Sequence, residues 1–485
     1  MKSHLLVSFI LLLSVRFELT YGTPTTACNV LQAALPDRVF FPGSDEYTED
    51  NEHFYGSSSE VSTCTVQPES AADVGIILQV VANSTTQSPF AIKSGGHGVA
   101  RGFSSTPGIQ ISLSRFNDIA YNATASTVKI GAGLTWDQVY TLLEPFNVKV
   151  MGGRVPGVGV GGLLLGGGFG YFTDQYGLGV DNIVSLDLVL PDGTFTVVSE
   201  ASDPDLFFAL KGGFNNFGIV IAFTMKAYPQ TDVWAANVIH PINSTSTVHQ
   251  AIADWSATND DLKGVVIPLY AHVGGQTLLV TSLFYDAPMQ PSIFDDFINV
   301  PGATMQVSGV MSLAQVGEAL FGGLVGNPNR GSKHTVPITH YTVAILDEIK
   351  SQFEKIVSDA QTNDRPFIIV NIVVEPFVQP FAHSTDSAYP HPPERSVCPT
   401  MLEINWYNAT DDAYFLNALE EAQQAIQAVA IAEGQSFADD ILYNNYAPAD
   451  TPLELLYGDN LKRLKEVKER VDPGNIMGLT GGFKF

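Results

Sequence analysis

The chain has 485 residues, 45% of them apolar, which is too long for one ordinary core and hydrophobic enough to fill two. A net charge of −26 repels nucleic acid and anionic membrane, so neither is expected as a partner. Small neutral or cationic molecules remain as ligands.

The chain opens with Lys2, an apolar run from Leu5 to Val15, and the small residues Gly22 and Thr23. That run is too short to anchor in a bilayer and reads as a secretory signal over residues 1–22. No later segment offers an uninterrupted membrane-length apolar run, so a soluble secreted protein is expected. Asn83-Ser84-Thr85, Asn122-Ala123-Thr124, Asn243-Ser244-Thr245 and Asn408-Ala409-Thr410 are glycosylation acceptors, in keeping with that route. Of the three cysteines, Cys28 and Cys64 are the expected disulfide and Cys398 a leftover buried thiol.

From Glu69 to Val81 the apolar residues Val74, Ile77, Leu78 and Val81 recur at helical spacing behind Ser70 and Asp73, which predicts a capped helix. Phe90–Lys93 reads as a strand leading into Lys93-Ser94-Gly95-Gly96-His97-Gly98. Further strands are expected at 109–113 and 127–131, and a helix capped by Thr135 carries Trp136, Val139, Tyr140 and Leu143. Strands at 183–190 and 194–198 flank the turn Pro191-Asp192-Gly193; a short helix (205–211) and a strand (218–227) follow. Beyond Val233 the pattern changes. Longer helices (312–321, 342–360, 413–431) alternate with strands (367–374, 401–406), predicting a helix-covered sheet. The tail carries a helix from Asn460 to Val471, stopped by Asp472-Pro473-Gly474.

Between Gly152 and Gly170 lie ten glycines, with Gly166, Gly167 and Gly168 consecutive. Gly157-Val158-Gly159-Val160-Gly161-Gly162 satisfies the dinucleotide pattern G-x-G-x-x-G, with Asp181 about twenty residues on. That pattern needs a long helix beginning inside it, and the glycines between Leu163 and Gly170 forbid one. The run is better suited to letting backbone approach a large ligand closely.

The order of motifs resembles the flavin domain of the vanillyl-alcohol oxidase and p-cresol methylhydroxylase family, in its berberine-bridge-enzyme-like branch. The motifs are the Lys93–Gly98 loop, the glycine run, Gln175 to Asn182, Asp205 to Gly213 and Asn216 to Val220. Tyr443-Asn444-Asn445-Tyr446 is similar to that branch's Tyr-x-Asn-Tyr. The resemblance implies an α+β fold with a two-subdomain PCMH-type FAD-binding domain (23–232), an α+β substrate domain with a helix-covered antiparallel sheet (233–440), and a tail (441–485) returning to the FAD domain. It implies FAD in the cleft, held by Lys93, Ser94, Gly95, Gly96, His97 and Gly98 with their N–H groups on the pyrophosphate. Gly157, Gly159, Gly162 and Gly168 of the glycine run, Gly218 and Val220, and Asn445 would approach the cofactor as well. Gly179 to Asn182 would pass close to the flavin ring. His97 matches the histidine that bonds to the flavin 8α-methyl carbon. Val155 stands where many members carry a second linking cysteine, so a single link is expected.

The resemblance also implies hydride transfer from an alcohol, sugar hydroxyl or C–N substrate, with dioxygen as electron acceptor and hydrogen peroxide as product. A base helps by taking the hydroxyl proton. Strand alternation puts Met401, Glu403 and Asn405 on one face. Met401 falls where the family's base usually sits, leaving Glu403 as a displaced substitute beside Tyr443 and Tyr446, one of which is the expected base. His383 and His391 lack partners at metal-ligand spacing, so no metal is expected. The expected protein is a monomer. The rivals are a dehydrogenase with a non-oxygen acceptor and a flavin carrier that has lost catalysis.

Overall fold

The computed structural model describes residues 23–322 and 330–485; the expected signal (1–22) lies outside the described residues. The first half holds two sheets. One has four strands in the order Val39–Phe40, Cys64–Val66, Ile109–Ser112, Phe90–Lys93, the last three mutually parallel. The helix Ala71–Ala82 carries the chain from Cys64–Val66 to the parallel Phe90–Lys93, leaving room for Ile109–Ser112 between them. The Ser70 hydroxyl accepts the Asp73 N–H at its start, and Val74, Ile77, Leu78 and Val81 are fully buried.

The second sheet is antiparallel, ordered Ile119–Asn122, Thr127–Gly131, Ile219–Lys226, Ile183–Val189, Phe195–Val198. Its hairpin turns at Gly193, which adopts φ +90° as the turn requires. In the glycine run the only helix before Gly166 is the short Val160–Leu165, so no dinucleotide-type helix forms.

The other half is built on a seven-stranded antiparallel sheet. Its order is Thr304–Met311, Val233–His240, Gln276–Tyr285, Gly264–Val273, Phe367–Val373, Cys398–Trp406, Arg330–Ile338. The helices Thr245–Thr258, Val343–Thr362 and Asp412–Ala432 pack one face through Ile252, Ile349, Phe353, Phe415 and Leu419 against Val370, Leu402 and Ile404. Sequence patterning marks only two of these strands. Gly264–Val273 is buried on nearly every residue and contains Pro268, so it shows no alternation.

The tail recrosses to the first half. Leu461, Leu464 and Val467 of the helix Asn460–Val471 join the first-half core, and the Asn216 side chain donates to the Phe483 carbonyl at 2.8 Å. Cys28 and Cys64 are bonded, and Cys398 is a buried free thiol whose pKa burial pushes well up. The four acceptor asparagines, Asn83, Asn122, Asn243 and Asn408, are exposed. Among the described residues no helix is long and apolar enough to cross a membrane.

Candidate active site

A cavity of about 630 Å³ lies between the glycine-rich segments and the uncovered face of the seven-stranded sheet, with Tyr443 to Ala447 and Phe483 of the tail in its wall. The strand Phe90–Lys93 delivers the glycine loop to it. The Ser94 hydroxyl donates to the Ala132 carbonyl at 2.6 Å and accepts the Gly161 N–H at 3.2 Å, fastening the loop to the short helix. A Cβ on Gly95 would stand 2.4 Å from the Gly159 nitrogen, so only glycine permits this approach. The N–H groups of Gly95, Gly96, His97 and Gly98 make no hydrogen bond among the described residues, and all four residues line the cavity. Such a row of unspent donors is an anion nest. A Cβ on Gly162 would meet nothing within 4 Å, and Gly218 and Val220 line the cavity too. These features fit an extended dinucleotide, with the loop on its pyrophosphate.

His97 stacks on Phe54 (centroids 4.4 Å apart, 17° between planes), and its Nε2 lies 3.0 Å from where a Cβ on Gly157 would be. Burial, and then the charge of Lys333, lower its pKa to about 3, so the imidazole is neutral with a free lone pair at neutral pH. Val155 lines the cavity.

The opposite wall follows from strand alternation. In Cys398–Trp406, Leu402, Ile404 and Trp406 enter the helix-covered core, while Met401, Glu403 and Asn405 line the cavity. Glu403 pairs in register with Lys333 on one side and Asn371 on the other. Its Oε1 accepts the hydroxyl of Tyr55, and its Oε2 the Asn371 amide at 3.3 Å. Burial, then Glu403, push the Tyr55 pKa far above the usual phenol value.

The two tail tyrosines are placed differently. The Tyr446 hydroxyl donates to Glu375 Oε1 at 3.1 Å, and Arg154 donates to the same oxygen at 2.6 Å. Burial and the Glu375 carboxylate raise the Tyr446 pKa well above the ordinary value. The Tyr443 oxygen instead accepts three N–H groups, from Gly168 and Phe169 at 3.3 Å each and from Asn445 at 3.0 Å. A phenol has two lone pairs, so this oxygen has no acceptor capacity left for a substrate proton.

Ser94, Gly95, Gly96, His97, Gly98, Val155, Gly159, Gly162, Gly218, Val220, Glu403, Tyr443, Asn445 and Tyr446 thus all line one cavity. Lys93, Gly157 and Gly168 do not. Lys93 turns away to the Glu49 carbonyl, Gly157 backs His97, and Gly168 packs on Gly179 while holding Tyr443. The segment Gly179–Asn182, expected beside the ring, is buried behind Leu164 and Gly168 and does not line the cavity. His391 bonds Asp181 at 3.0 Å, and no group of metal-ligating side chains occurs among the described residues.

Sequence reasoning missed Tyr55, Arg154, Lys333, Asn371 and Glu375. Continuing the parity of Ile369, Asn371 and Val373 by one step would have flagged Glu375. Lys333 was hidden because its strand was not recognised, and nothing local marks Tyr55.

A family model described as FAD binding domain matches residues 62–199, and one described as berberine and berberine like matches 442–479. FAD-dependent monooxygenase sdcF of Emericella nidulans is 30% identical over 479 residues, 94% of this chain and 98% of that protein. Among solved structures, the carbohydrate oxidase from Microdochium nivale superposes with a TM-score of 0.76 at 20% identity, covering 93% of this chain and 98% of that one. A variant of berberine bridge enzyme gives 0.75 at 18%, with the same coverage. The two family models at either end and the relative 30% identical over nearly the whole chain agree, and the chain belongs to the berberine-bridge-enzyme-like branch of the vanillyl-alcohol oxidase and p-cresol methylhydroxylase family, as an FAD-dependent oxidoreductase.

Proposed function

We propose that this protein is a secreted, glycosylated, monomeric oxidase that holds FAD covalently through His97 alone and oxidises a small molecule at a carbon bearing a hydroxyl or amine. The observation that carries the reading is the buried Tyr446–Glu375 pair, set in the same cavity as His97 and the unspent N–H groups of its loop. Held by the glycine loop and His97, FAD would supply the hydride acceptor, with dioxygen as the oxidant that restores it and hydrogen peroxide as product.

The chain's own residues supply the rest. The Tyr446 oxygen accepts the substrate hydroxyl proton as its own proton moves to the Glu375 carboxylate, so no free tyrosinate is needed despite the raised pKa. Arg154 holds Glu375 in place and keeps the pair oriented. Tyr443 is a positioning residue, fixing the Gly168 turn and Asn445. Neutral His97 has the nucleophilic lone pair that attachment requires. The exposed acceptor asparagines support glycosylation, and hence export.

The test is anaerobic addition of a panel of alcohols, sugars and amines, followed by air. Bleaching of the flavin absorbance, rapid recovery and stoichiometric peroxide are expected; slow recovery makes it a dehydrogenase, and no bleaching by any compound leaves a binding protein. On a denaturing gel the parent should keep flavin fluorescence and His97→Ala should lose it.

A further inference from the structure

We infer that Asp174 is a positioning residue for proton transfer: reaching across from the flavin-binding half, its carboxylate grips the backbone just beyond Glu375 and fixes that residue's place against Tyr446. The inference rests on the Tyr446–Glu375 reading of the cavity and names what aligns that pair.

The pair joins two parts of the molecule. Tyr446 belongs to the returning tail and Arg154 to the glycine run, whereas Glu375 follows the strand Phe367–Val373 of the other sheet. Beyond Val374, whose N–H still reaches the Pro268 carbonyl, the ladder ends. The next residues are held from their own half. The Glu375 N–H donates to the Tyr341 hydroxyl at 3.4 Å, and the Pro376 and Phe377 carbonyls accept from Trp255 at 3.1 Å and from the Cys398 thiol at 3.2 Å. None of these bonds relates the backbone at Glu375 to the wall that holds the flavin.

Asp174 does. It sits in the short helix Thr173–Tyr176, directly after the glycine run. That helix is fixed to its own half: the Thr173 hydroxyl accepts the Gly170 N–H at 3.0 Å, and Tyr176 stacks on Tyr228 with ring centroids 3.7 Å apart. The Asp174 oxygens accept the Val378 N–H at 3.0 and 3.1 Å, and one of them accepts the Gln379 N–H at 2.8 Å. Among the described residues no other group of the first half hydrogen-bonds the backbone from Glu375 to Gln379.

The grip is stiff because of what grips. Asp174 is buried, and among the described residues no cation pairs with it. Burial raises its pKa to about 6 against the opposing pull of the two N–H groups, so at neutral pH it is an ionised group that can only accept. A carboxylate kept dry must be satisfied where it stands, and a drift of the backbone would leave buried charge uncovered. At the far end of the same segment Asp181 accepts the Thr385 N–H at 2.8 Å and lies 3.0 Å from His391. The connection is thus seized twice, but only the Asp174 end lies beside Glu375.

The test is a double-mutant cycle read by anaerobic flavin reduction, using the panel compound that bleaches the parent fastest, together with a crystal structure of flavin-loaded Asp174→Asn. The amide keeps the size of the side chain but offers the backbone one acceptor oxygen in place of two. Limiting reduction should slow about tenfold with half-saturation unchanged, since a misplaced reacting group lowers the rate without touching binding. The structure should show Glu375 drawn away from Tyr446. In a Tyr446→Phe background Asp174→Asn should cost nothing further, because both act through one pair. Asp181→Asn should lower the thermal midpoint and leave reduction near the parent rate. Flavin content checks that each variant is loaded; if Asp174→Asn does not load, Asp174→Ser, which accepts without charge, takes its place. Parent-rate reduction in the Asp174 variant, the same loss repeated in the Tyr446→Phe background, an equal loss in Asp181→Asn, or an unmoved Glu375 overturns the inference. Parent-rate reduction in Tyr446→Phe overturns the base assignment instead, and a displaced Glu375 then leaves the positioning role standing. Where no compound bleaches the parent the oxidase reading fails, and the position of Glu375 in the crystal decides this one.

Discussion

The two faces of the seven-stranded sheet are made from alternate residues of the same strands, yet they do opposite work. One face is dry: Val370, Ile372, Leu402 and Ile404 are fully buried under three helices. The other is chemically loaded, with Lys333, Asn371, Glu403 and Asn405 lining the cavity and several polar atoms there lacking partners, including Glu375 Oε2, Asn371 Oδ1 and Asn405 Oδ1. Unpaired buried polar atoms cost stability, and the dry face offsets that cost. A period of two therefore separates stability from chemistry within a single element.

The separation can be broken from the dry side first. Ile404→Ala opens a cavity beneath the helices and should cost about 2–5 kcal/mol in denaturant unfolding. Flavin reduction per folded, flavin-loaded molecule should stay at the parent rate; a slowed rate would show that the faces are coupled. From the cavity side, Tyr446→Phe should slow flavin reduction on the order of a hundredfold, the usual scale for a lost general base. Tyr443→Phe should slow it much less, because it removes an anchor and not a proton acceptor. The reverse ranking would return the base to Tyr443.

Acid supplies a gentler probe of the dry face. His240 lies on it, hydrogen-bonded to Thr281, and burial lowers its pKa from 6.5 to about 4. The unfolded chain takes that proton first as pH falls. This contribution to stability is therefore full above pH 6.5 and is lost progressively down to about pH 4. Thermal midpoints measured across that window should fall more steeply for the parent than for His240→Gln. His53, His97, His249, His272 and His334 are lowered in the same direction, so the variant keeps part of the slope. The smallest effect is expected from Glu403→Gln. Its carbonyl still accepts the Tyr55 hydroxyl, and reduction should change only severalfold; a loss exceeding that of Tyr446→Phe would make Glu403 the base.

The parts legible in the sequence were those whose signal is local. Ser70, Thr135, Ser312 and Thr342 each announce a helix that begins immediately after it. The loop from Ser94 to Gly98 is recognisable because close backbone approach permits few residues other than glycine. Glu403 could be set on the correct face from alternation alone. Tyr55 could not, since it is joined to Glu403 by a hydrogen bond spanning 348 residues of sequence. Strands such as Val233–His240, buried on most residues, lose the alternation that identifies half-exposed ones. Which of Tyr443 and Tyr446 can accept a proton depends on the backbone of Gly168 and on Glu375, and neither is visible from the motif that contains them.

The recrossing tail has a consequence for how the molecule is made. The loop at Ser94 and the Tyr446 that shares its cavity are separated by most of the chain, and Gly482 and Phe483 also line that cavity. During synthesis from the N-terminus, the glycine loop emerges hundreds of residues before the side chains that close over it. The cavity is therefore finished only after translation has passed the last helix, and closing so long a loop is a late, slow event. Flavin captured earlier would meet a half-built cleft open to water. Flavin loading therefore follows the C-terminal return, which makes cofactor content a direct readout of whether that return has succeeded.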